Sequence, residues 1–434
     1  MSKKSPSLNE GTSTGIAKAS KIAATGEIAL RKTLLHFDGR MLVQSSERQI
    51  LTSHCGSLPR PRELIGPLRD KDAGTLQDGR QLAEAVQKSV ADVVKKQIDL
   101  GIDIVDDGEH SKSSFATYAR GRIGGLSFVE GIAKRSVAPS RDELAFPAVY
   151  EEMRVMYGAR GSQGGKSRGM TTLACTGPIN YTGHEEVKAD IDNLKRAIGD
   201  RPIEGFITAI SPTNLESYFE NQYYKTQEDY LEALSHAMNE EYRAIVDAGF
   251  IVQVDDPRLI THYNRSPGST LEENRKFMAL RVEAVNLSLR GIPEDRVRFH
   301  TCYSVNVAPR VHDLELKDYV DLMLRIKAQA YSIEAANPRH EHEWQVWENV
   351  KLPAGKLLLP GVVSHCVYQV EHPELVAQRI SRFAGVVGRE NVIASNDCGF
   401  ATSAAGDEVH AEVAWAKLAA LIEGARLASQ RLWS

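Results

Sequence analysis

Four residues in the second half of this sequence are of types that hold metal ions, and their spacing suggests one site. His300 and Cys302 lie in the run Arg298-Phe299-His300-Thr301-Cys302-Tyr303-Ser304. Along an extended strand, positions i and i+2 face the same way, so this imidazole and thiol point together. They are ligands of the kind zinc takes. By itself the pair equally suits a small buried thiol beside a hydrogen-bonded core histidine. Two further residues extend the metal reading. Glu334 closes the apolar run Tyr331-Ser332-Ile333, where an unpaired buried charge is costly. Cys398 follows Val392-Ile393 within Asn396-Asp397-Cys398-Gly399. Together the four make a Cys2HisGlu set for Zn2+, drawn from the ends of three different strands.

Such a set needs a scaffold that presents many strand ends on one side. From Gln49 onward, short apolar runs that end in polar or acidic residues alternate with amphipathic helical stretches. The runs are Ile50–His54, Ile102–Asp106, Thr172–Thr176, Phe206–Ser211, Phe250–Asp255, Val297–Cys302, Tyr331–Glu334, Leu357–Val363 and Val392–Asn396. Leu82, Val86, Val90, Val93 and Ile98 keep a 3.6-residue stripe that stops at Gly101. A second helix starts at Thr226, carries Leu231, Leu234, Met238 and Ile245, and stops before Gly249. Repeated β–α–β units give a parallel sheet, open or closed. Polar residues at the C-terminal end of run after run favour closure, and no G-x-G-x-x-G follows the first strands. The expected fold is α/β, a TIM-type (β/α)8 barrel. Nine runs for eight slots leave one surplus, expected to be the Ile50 run or the Leu357 run.

The longest connection runs from Asp106 to Thr172 and includes the basic, glycine-rich stretch Gly158–Gly169. Connections of this length are lids, binding loops or disordered surface insertions. The expected organisation is an N-terminal extension over 1–45, a barrel over 46–434, and a lid-like insertion after the second strand over about 121–170. Ser2–Gly15 is polar without apolar period, as in disordered chain. Ala17–Leu35 fits a weak basic leader helix, and a true start at Met41 would remove the whole stretch.

Composition narrows the function classes. Among 434 residues, 53 Lys+Arg face 57 Asp+Glu, a formal charge of −4. That balance lacks the basic footprint of a nucleic-acid binder. No apolar run approaches the ~20 residues of a membrane span, and the N-terminus has no signal-peptide core. Five cysteines, an odd and sparse count, fit reduced thiols in the cytoplasm, some of them metal ligands.

The order of the motifs adds a family. His300-Thr301-Cys302-Tyr303-Ser304, Glu334 and Asp397-Cys398-Gly399 follow Ser57-Leu58-Pro59-Arg60, Asp107-Gly108-Glu109 and Gln253-Val254-Asp255-Asp256-Pro257. This series resembles the cobalamin-independent methionine synthase family, in its C-terminal zinc barrel and its single-barrel relatives. The likeness runs from about Thr52 to near the C-terminus. It implies that His300, Cys302, Glu334 and Cys398 bind zinc. It also implies that Ser57, Glu109 and Asp255 contact an amino-acid thiol, the two carboxylates holding its ammonium. Two carboxylates at neighbouring strand ends repel unless a cation lies between them. The competing expectation is that Glu109 and Asp255 pair with local bases such as Lys112 and Arg258.

The chemistry follows from the ligand types. A free thiol, with a pKa of ~8.5, is mostly protonated near pH 7, and only its thiolate is a good nucleophile. Coordination to zinc removes that proton outright. Two thiolates and a carboxylate keep a bound sulfur electron-rich, whereas neutral histidine sets activate water. The expected activity is therefore zinc-dependent S-alkyl transfer, with homocysteine or a similar small thiol as acceptor and a separate alkyl donor. Full-length synthases carry a further barrel that helps hold a methyl-folate, and here little chain precedes Thr52. Gly361–Cys366 also lacks their Asp-x-His proton donor, His365 being one position off. The alternatives are a non-folate methyl donor, or epoxide-to-thiol transfer as in epoxyalkane:coenzyme M transferase. His340 and His342 have a zinc-like H-x-H spacing but are read as solvated or substrate-facing. Trp344 and Trp347 are read as helix packing, Cys175 and Cys366 as core or near-site thiols, and Cys55 as standing where the family motif has an apolar residue.

Overall fold

The computed structural model describes residues 45–130, 139–158, 171–305, 308–404 and 409–434. The extension over 1–45, apart from Ser45, and the glycine-rich stretch beyond Gly158 lie outside the described residues. The strands in chain order are β1 (Leu51–Thr52), β2 (Ile104–Val105), β3 (Ile123–Glu130), β4 (Thr171–Tyr181), β5 (Glu204–Ile210), β6 (Glu220–Asn221), β7 (Ile251–Asp255), β8 (Val297–Thr301), β9 (Ala330–Ile333), β10 (Leu357–Val363) and β11 (Ile393–Asn396).

Eight of them form one parallel sheet in the order β1-β11-β10-β9-β8-β7-β5-β2. Its two ends are stitched together. The Asp103 N–H donates to the Thr52 carbonyl at 3.2 Å. The Asp103 carboxylate accepts from the Thr52 N–H at 2.9 Å and its hydroxyl at 2.8 Å, and the Ser53 hydroxyl donates to the Ile104 carbonyl at 3.3 Å. This closes the (β/α)8 barrel.

The surplus strand is neither of the two expected. The Ile50 and Leu357 runs supply β1 and β10 of the barrel, whereas the Thr172 run becomes β4 of a separate three-stranded sheet, β3-β4-β6. There β4 pairs antiparallel with β3, with a register break at Gly124–Leu126 where Gly125 takes φ +83°. An apolar run records that a strand will bury a face, but not which neighbour supplies its hydrogen bonds.

The helices begin and end where their caps dictate. Asp78 accepts from the Arg80 and Gln81 N–H groups to start Gly79–Leu100, and Gly101 ends that helix at φ +100°, a left-handed value that suits glycine. Thr226 caps Gln227–Asp247 by accepting from the Asp229 N–H. Among the described residues no helix is long and apolar enough to cross a membrane.

Inside the barrel, Leu51, Ile104, Phe206, Ile251, Ala330, Leu357, Leu359 and Ile393 form a buried cluster, with contributions from seven strands. Burying each of the larger aliphatic side chains stabilises the fold by roughly 1.5–3 kcal/mol. On β8 the alternation sends Val297 and Phe299 outward into the larger helix-packed core. Arg298, His300 and Cys302 take the opposite face. Arg298 is buried over the Phe206 ring at 3.7 Å and donates to the Ser53 hydroxyl and the His54 carbonyl. The polar residues of interest lie one layer further along the strands, at their C-terminal ends.

Candidate active site

Parallel register fixes which side chains can meet. His300 on β8 is paired in register with Asp255 on β7 and with Ser332 on β9, so one histidine stands between the end of one wall and the start of another. Cys302 follows two residues on, and Cys398 comes off the end of β11. The ligand atoms of His300, Cys302 and Cys398 lie within 4.8 Å of one another, all buried. The two sulfurs are 3.2 Å apart. The Cys398 thiol donates to Cys302, and with His300 this pulls the Cys302 thiol well below its ordinary pKa while Cys398 is pushed up. Burial opposes charge on His300, yet Cys55 and Cys302 hold its pKa well above the ordinary value. A pocket whose field raises a buried imidazole favours a cation.

His300 Nδ1 lies 3.1 Å from the Ser332 hydroxyl, whereas its buried Nε2 has no hydrogen-bond partner. An orphaned nitrogen beside two thiols fits a metal ion, which Nε2 would ligate while Ser332 fixes the ring from behind. The donor set, two sulfurs and an imidazole, is the kind that zinc takes.

Glu334 is not part of this trio. Its carboxylate forms a neighbouring group with His365 and Asp397, again within 4.8 Å. Glu334 Oε1 accepts from the Tyr303 N–H at 2.6 Å, and Oε2 accepts from Arg310 at 3.0 Å and from Asn337 Nδ2 at 2.7 Å. Burial raises its pKa to about 8, with Cys302 and Asp397 adding to the rise and Arg310 opposing it. The sequence pattern placed all four candidate ligands on equal terms, whereas in the structure Glu334 is held apart from the trio by three donors of its own. His365 is fully buried, and neither ring nitrogen has a hydrogen-bond partner. Burial, then Arg310 and His300, lower its pKa to about 3, so the ring is neutral near pH 7. Asp397 Oδ1 accepts the Ala335 and Ala336 N–H groups at 2.7 and 2.8 Å and presses on β10, where a Cβ at Gly361 would meet it at 2.0 Å.

The other wall is made by the ends of β1, β2 and β7. Gly56 turns at φ +111°, and a Cβ there would meet Thr208 Cγ2 at 2.4 Å and Glu109 Oε1 at 3.3 Å, which places the Gly56-Ser57 turn against Glu109. Ser57 Oγ and Glu109 Oε2 are buried without hydrogen-bond partners. A Cβ at Gly399 would meet Ser57 Oγ at 1.9 Å, so this hydroxyl lies beside the residue that follows Cys398. Glu109 itself is held at φ +58°, a left-handed value that a non-glycine residue seldom adopts without a functional or packing reason. Asp255 Oδ1 accepts from Gln253 at 2.8 Å. Burial raises the Asp255 pKa to about 7, with His300 opposing and Glu109 reinforcing the rise.

The expected pairing of these acids with Lys112 and Arg258 does not occur. Lys112 is buried and donates to the Thr208 carbonyl and hydroxyl, and that hydroxyl in turn donates to Glu109 Oε1 at 2.9 Å. Arg258 lies over the Tyr218 ring. The cation nearest Glu109 is Arg60, 3.9 Å from Oε2.

Sequence reasoning missed several near neighbours. Cys55 is buried with its sulfur 2.9 Å from the Asn396 carbonyl and 3.7 Å from His300 Nδ1, so the apolar slot holds a thiol behind the histidine. Arg310 gave no signal because no local spacing ties it to Glu334, and Asn337, only three residues after Glu334, was not read as its partner. His340 is buried and ion-paired rather than solvated, while His342 is exposed. Trp347 is buried, Cys175 lies in β4 and Cys366 is half-buried.

Residues 162–421 match the family model described as the cobalamin-independent synthase catalytic domain, which is more than half of the chain. The chain belongs to the cobalamin-independent synthase family. Family members with similar sequences include a methionine synthase from Thermococcus kodakarensis, 25% identical over 391 residues that cover 88% of this chain and 94% of that protein. A methionine synthase from Saccharolobus islandicus is 25% identical over 384 residues, covering 88% and 95%. Among solved structures, a B12-independent methionine synthase from Shewanella sp. W3-18-1, in complex with selenomethionine, superposes with a TM-score of 0.66 at 20% identity, covering 88% of this chain and 99% of that one. That structural likeness shares the barrel fold.

Proposed function

We propose that this synthase-family protein is a zinc-dependent methyltransferase whose acceptor is the sulfur of homocysteine or a closely similar amino-acid thiol. The observation that carries the reading is one buried barrel mouth with a His300–Cys302–Cys398 trio on one side and partnerless Ser57 and Glu109 atoms beside Asp255 on the other. His300 Nε2, Cys302, Cys398 and the adjacent Glu334 would hold the zinc. A zinc ion bound there supplies a low-pKa environment that keeps the substrate sulfur as thiolate near pH 7.

The chain's own residues do the rest. Glu109 and Asp255 bind the α-ammonium, which neutralises their mutual repulsion, and the Ser57 hydroxyl orients the same end of the substrate. Burial excludes water, so each charge-assisted contact is stronger than it would be in solvent. The thiolate sulfur then forms a bond to the donor's methyl carbon, and the donor departs with the electron pair of the broken bond. His365, neutral near pH 7 with its pKa lowered to about 3, holds no imidazolium proton to give that departing group and can only offer it a hydrogen bond. Two buried carboxylates disfavour an acceptor bearing a sulfonate, such as coenzyme M, which argues against the epoxide alternative. Free thiols at all five cysteines support a reducing compartment such as the cytoplasm.

The test is metal analysis followed by titration with homocysteine at constant pH. One zinc per chain with proton release on homocysteine binding is the expected result. Saturation by a non-amino thiol, with none by homocysteine, would reassign the acceptor.

A further inference from the structure

The connections that follow β8 and β9 hold a row of buried charged groups that leads to Glu334 and whose other members the proposed reaction does not use. Arg310 Nε donates to Asp313 Oδ2 at 2.7 Å, and its Nη2 donates to Glu334 Oε2 at 3.0 Å. Asp313 Oδ2 also lies 3.2 Å from His340 Nε2, and His340 Nδ1 lies 2.9 Å from Glu343 Oε2. Glu343 is anchored in turn by the Leu316 N–H at 2.8 Å. Acidic and basic side chains therefore alternate along Glu343, His340, Asp313, Arg310 and Glu334, all buried. Burial opposes charge on His340, but Asp313 and Glu343 hold its pKa at about 9.

Two observations show that this row is aimed at Glu334 rather than merely filling space. Arg310 sits at φ +57°, a strained left-handed conformation for a side chain of its kind, held by its two carboxylate partners. Tyr303, the residue after Cys302, stacks on His340 with ring centres 3.9 Å apart and planes 6° from parallel, and its N–H donates to Glu334 Oε1. The same row thus fixes both Glu334 and the backbone that carries Cys302. A planar guanidinium can hold two carboxylates in one geometry, which a lysine ammonium cannot.

Resting on the reading of His300, Cys302, Cys398 and Glu334 as zinc ligands, we propose that Arg310 is a positioning residue that aims the Glu334 carboxylate at the metal, with Asp313 and His340 as its anchor. Outer partners of metal ligands commonly set affinity by about 10–100-fold.

The experiment measures zinc stoichiometry and affinity by chelator competition on the full chain, for wild type, Arg310→Met, Arg310→Lys, Glu334→Gln and the Arg310→Met/Glu334→Gln double variant. Expected is one zinc in wild type, binding weakened by about 10–100-fold in Arg310→Met with a smaller loss in Arg310→Lys, and no further loss from Arg310→Met once Glu334 is Gln. Unchanged affinity in Arg310→Met, or a loss that persists undiminished in the Glu334→Gln background, overturns the role of Arg310 while leaving the zinc reading intact. A wild type that binds no zinc overturns the zinc reading itself. If Arg310→Met does not fold, Asp313→Asn loosens the same guanidinium, and unchanged zinc affinity there overturns the inference equally.

Discussion

The two walls of the barrel mouth are buried to the same degree but solve the cost of burial differently. On the β8–β9–β11 wall, polar groups largely satisfy one another: Cys398 donates to Cys302, Ser332 meets His300, and Arg310 with Asn337 holds Glu334. The atoms left over on this side are His300 Nε2, Asp397 Oδ2 and the two ring nitrogens of the neighbouring His365, all of them around the candidate ligands. On the β1–β2–β7 wall, Glu109 Oε2 and Ser57 Oγ are left bare, and the nearest cation to Glu109 stands 3.9 Å away. A wall whose ligands are braced by neighbours suits a resident ion. A wall that leaves a carboxylate oxygen and a hydroxyl without hydrogen bonds stores a cost that an incoming ammonium relieves, and this favours a ligand that comes and goes.

Removing groups wall by wall tests that contrast. The largest effect is expected from Cys398→Ser or Cys302→Ser. Either should weaken zinc binding by more than about 100-fold, since even outer partners cost up to that, and should abolish methyl transfer. Stoichiometric zinc with full activity would remove this wall from the chemistry.

Next come Asp255→Asn and Glu109→Gln, which should retain zinc. Losing one charge-assisted contact costs about 1.5–3 kcal/mol, so KM for the amino-acid thiol should rise roughly 10–100-fold. Zinc loss in these variants would mean that the two walls are not separable.

The pH dependence is subtler and follows from Asp255, whose pKa is raised to about 7. Thiol affinity should fall as pH drops through about 7 and the carboxyl takes a proton, and Asp255→Asn should flatten that limb. The stability effect has the opposite sign. The folded-state pKa lies above the unfolded value of about 3.9, so the folded state binds more protons between the two, and this group lowers stability as pH rises from about 4 to 7. Metal-free Asp255→Asn should therefore melt above wild type at pH 8 by calorimetry. Smallest is Ser57→Ala, where loss of one neutral hydrogen bond worth about 0.5–1.5 kcal/mol should raise KM by roughly 2–10-fold without altering zinc content.

Different parts of this molecule were legible to different degrees. The His300–Cys302 pair could be read because a strand's two-residue period fixes its geometry locally. The helix stop at Gly101 and the start at Thr226 were equally readable, since each depends on bonds within a few residues. The Thr172 run was misplaced because its strand signal is the same whether its partner is a barrel neighbour or β3. Arg310 was invisible because its 24-residue separation from Glu334 leaves no periodic trace.

By itself, the sequence determined the number and type of strand-end groups and the barrel they imply, because local periodicity and backbone preference act over a few residues. Only the tertiary structure decided that His300, Cys302 and Cys398 converge while Glu334 is held beside them, and that Lys112 and Arg258 turn to other partners than Glu109 and Asp255. Those outcomes depend on strand order, register and the competition of distant donors for one carboxylate, and these are properties of the packed chain as a whole.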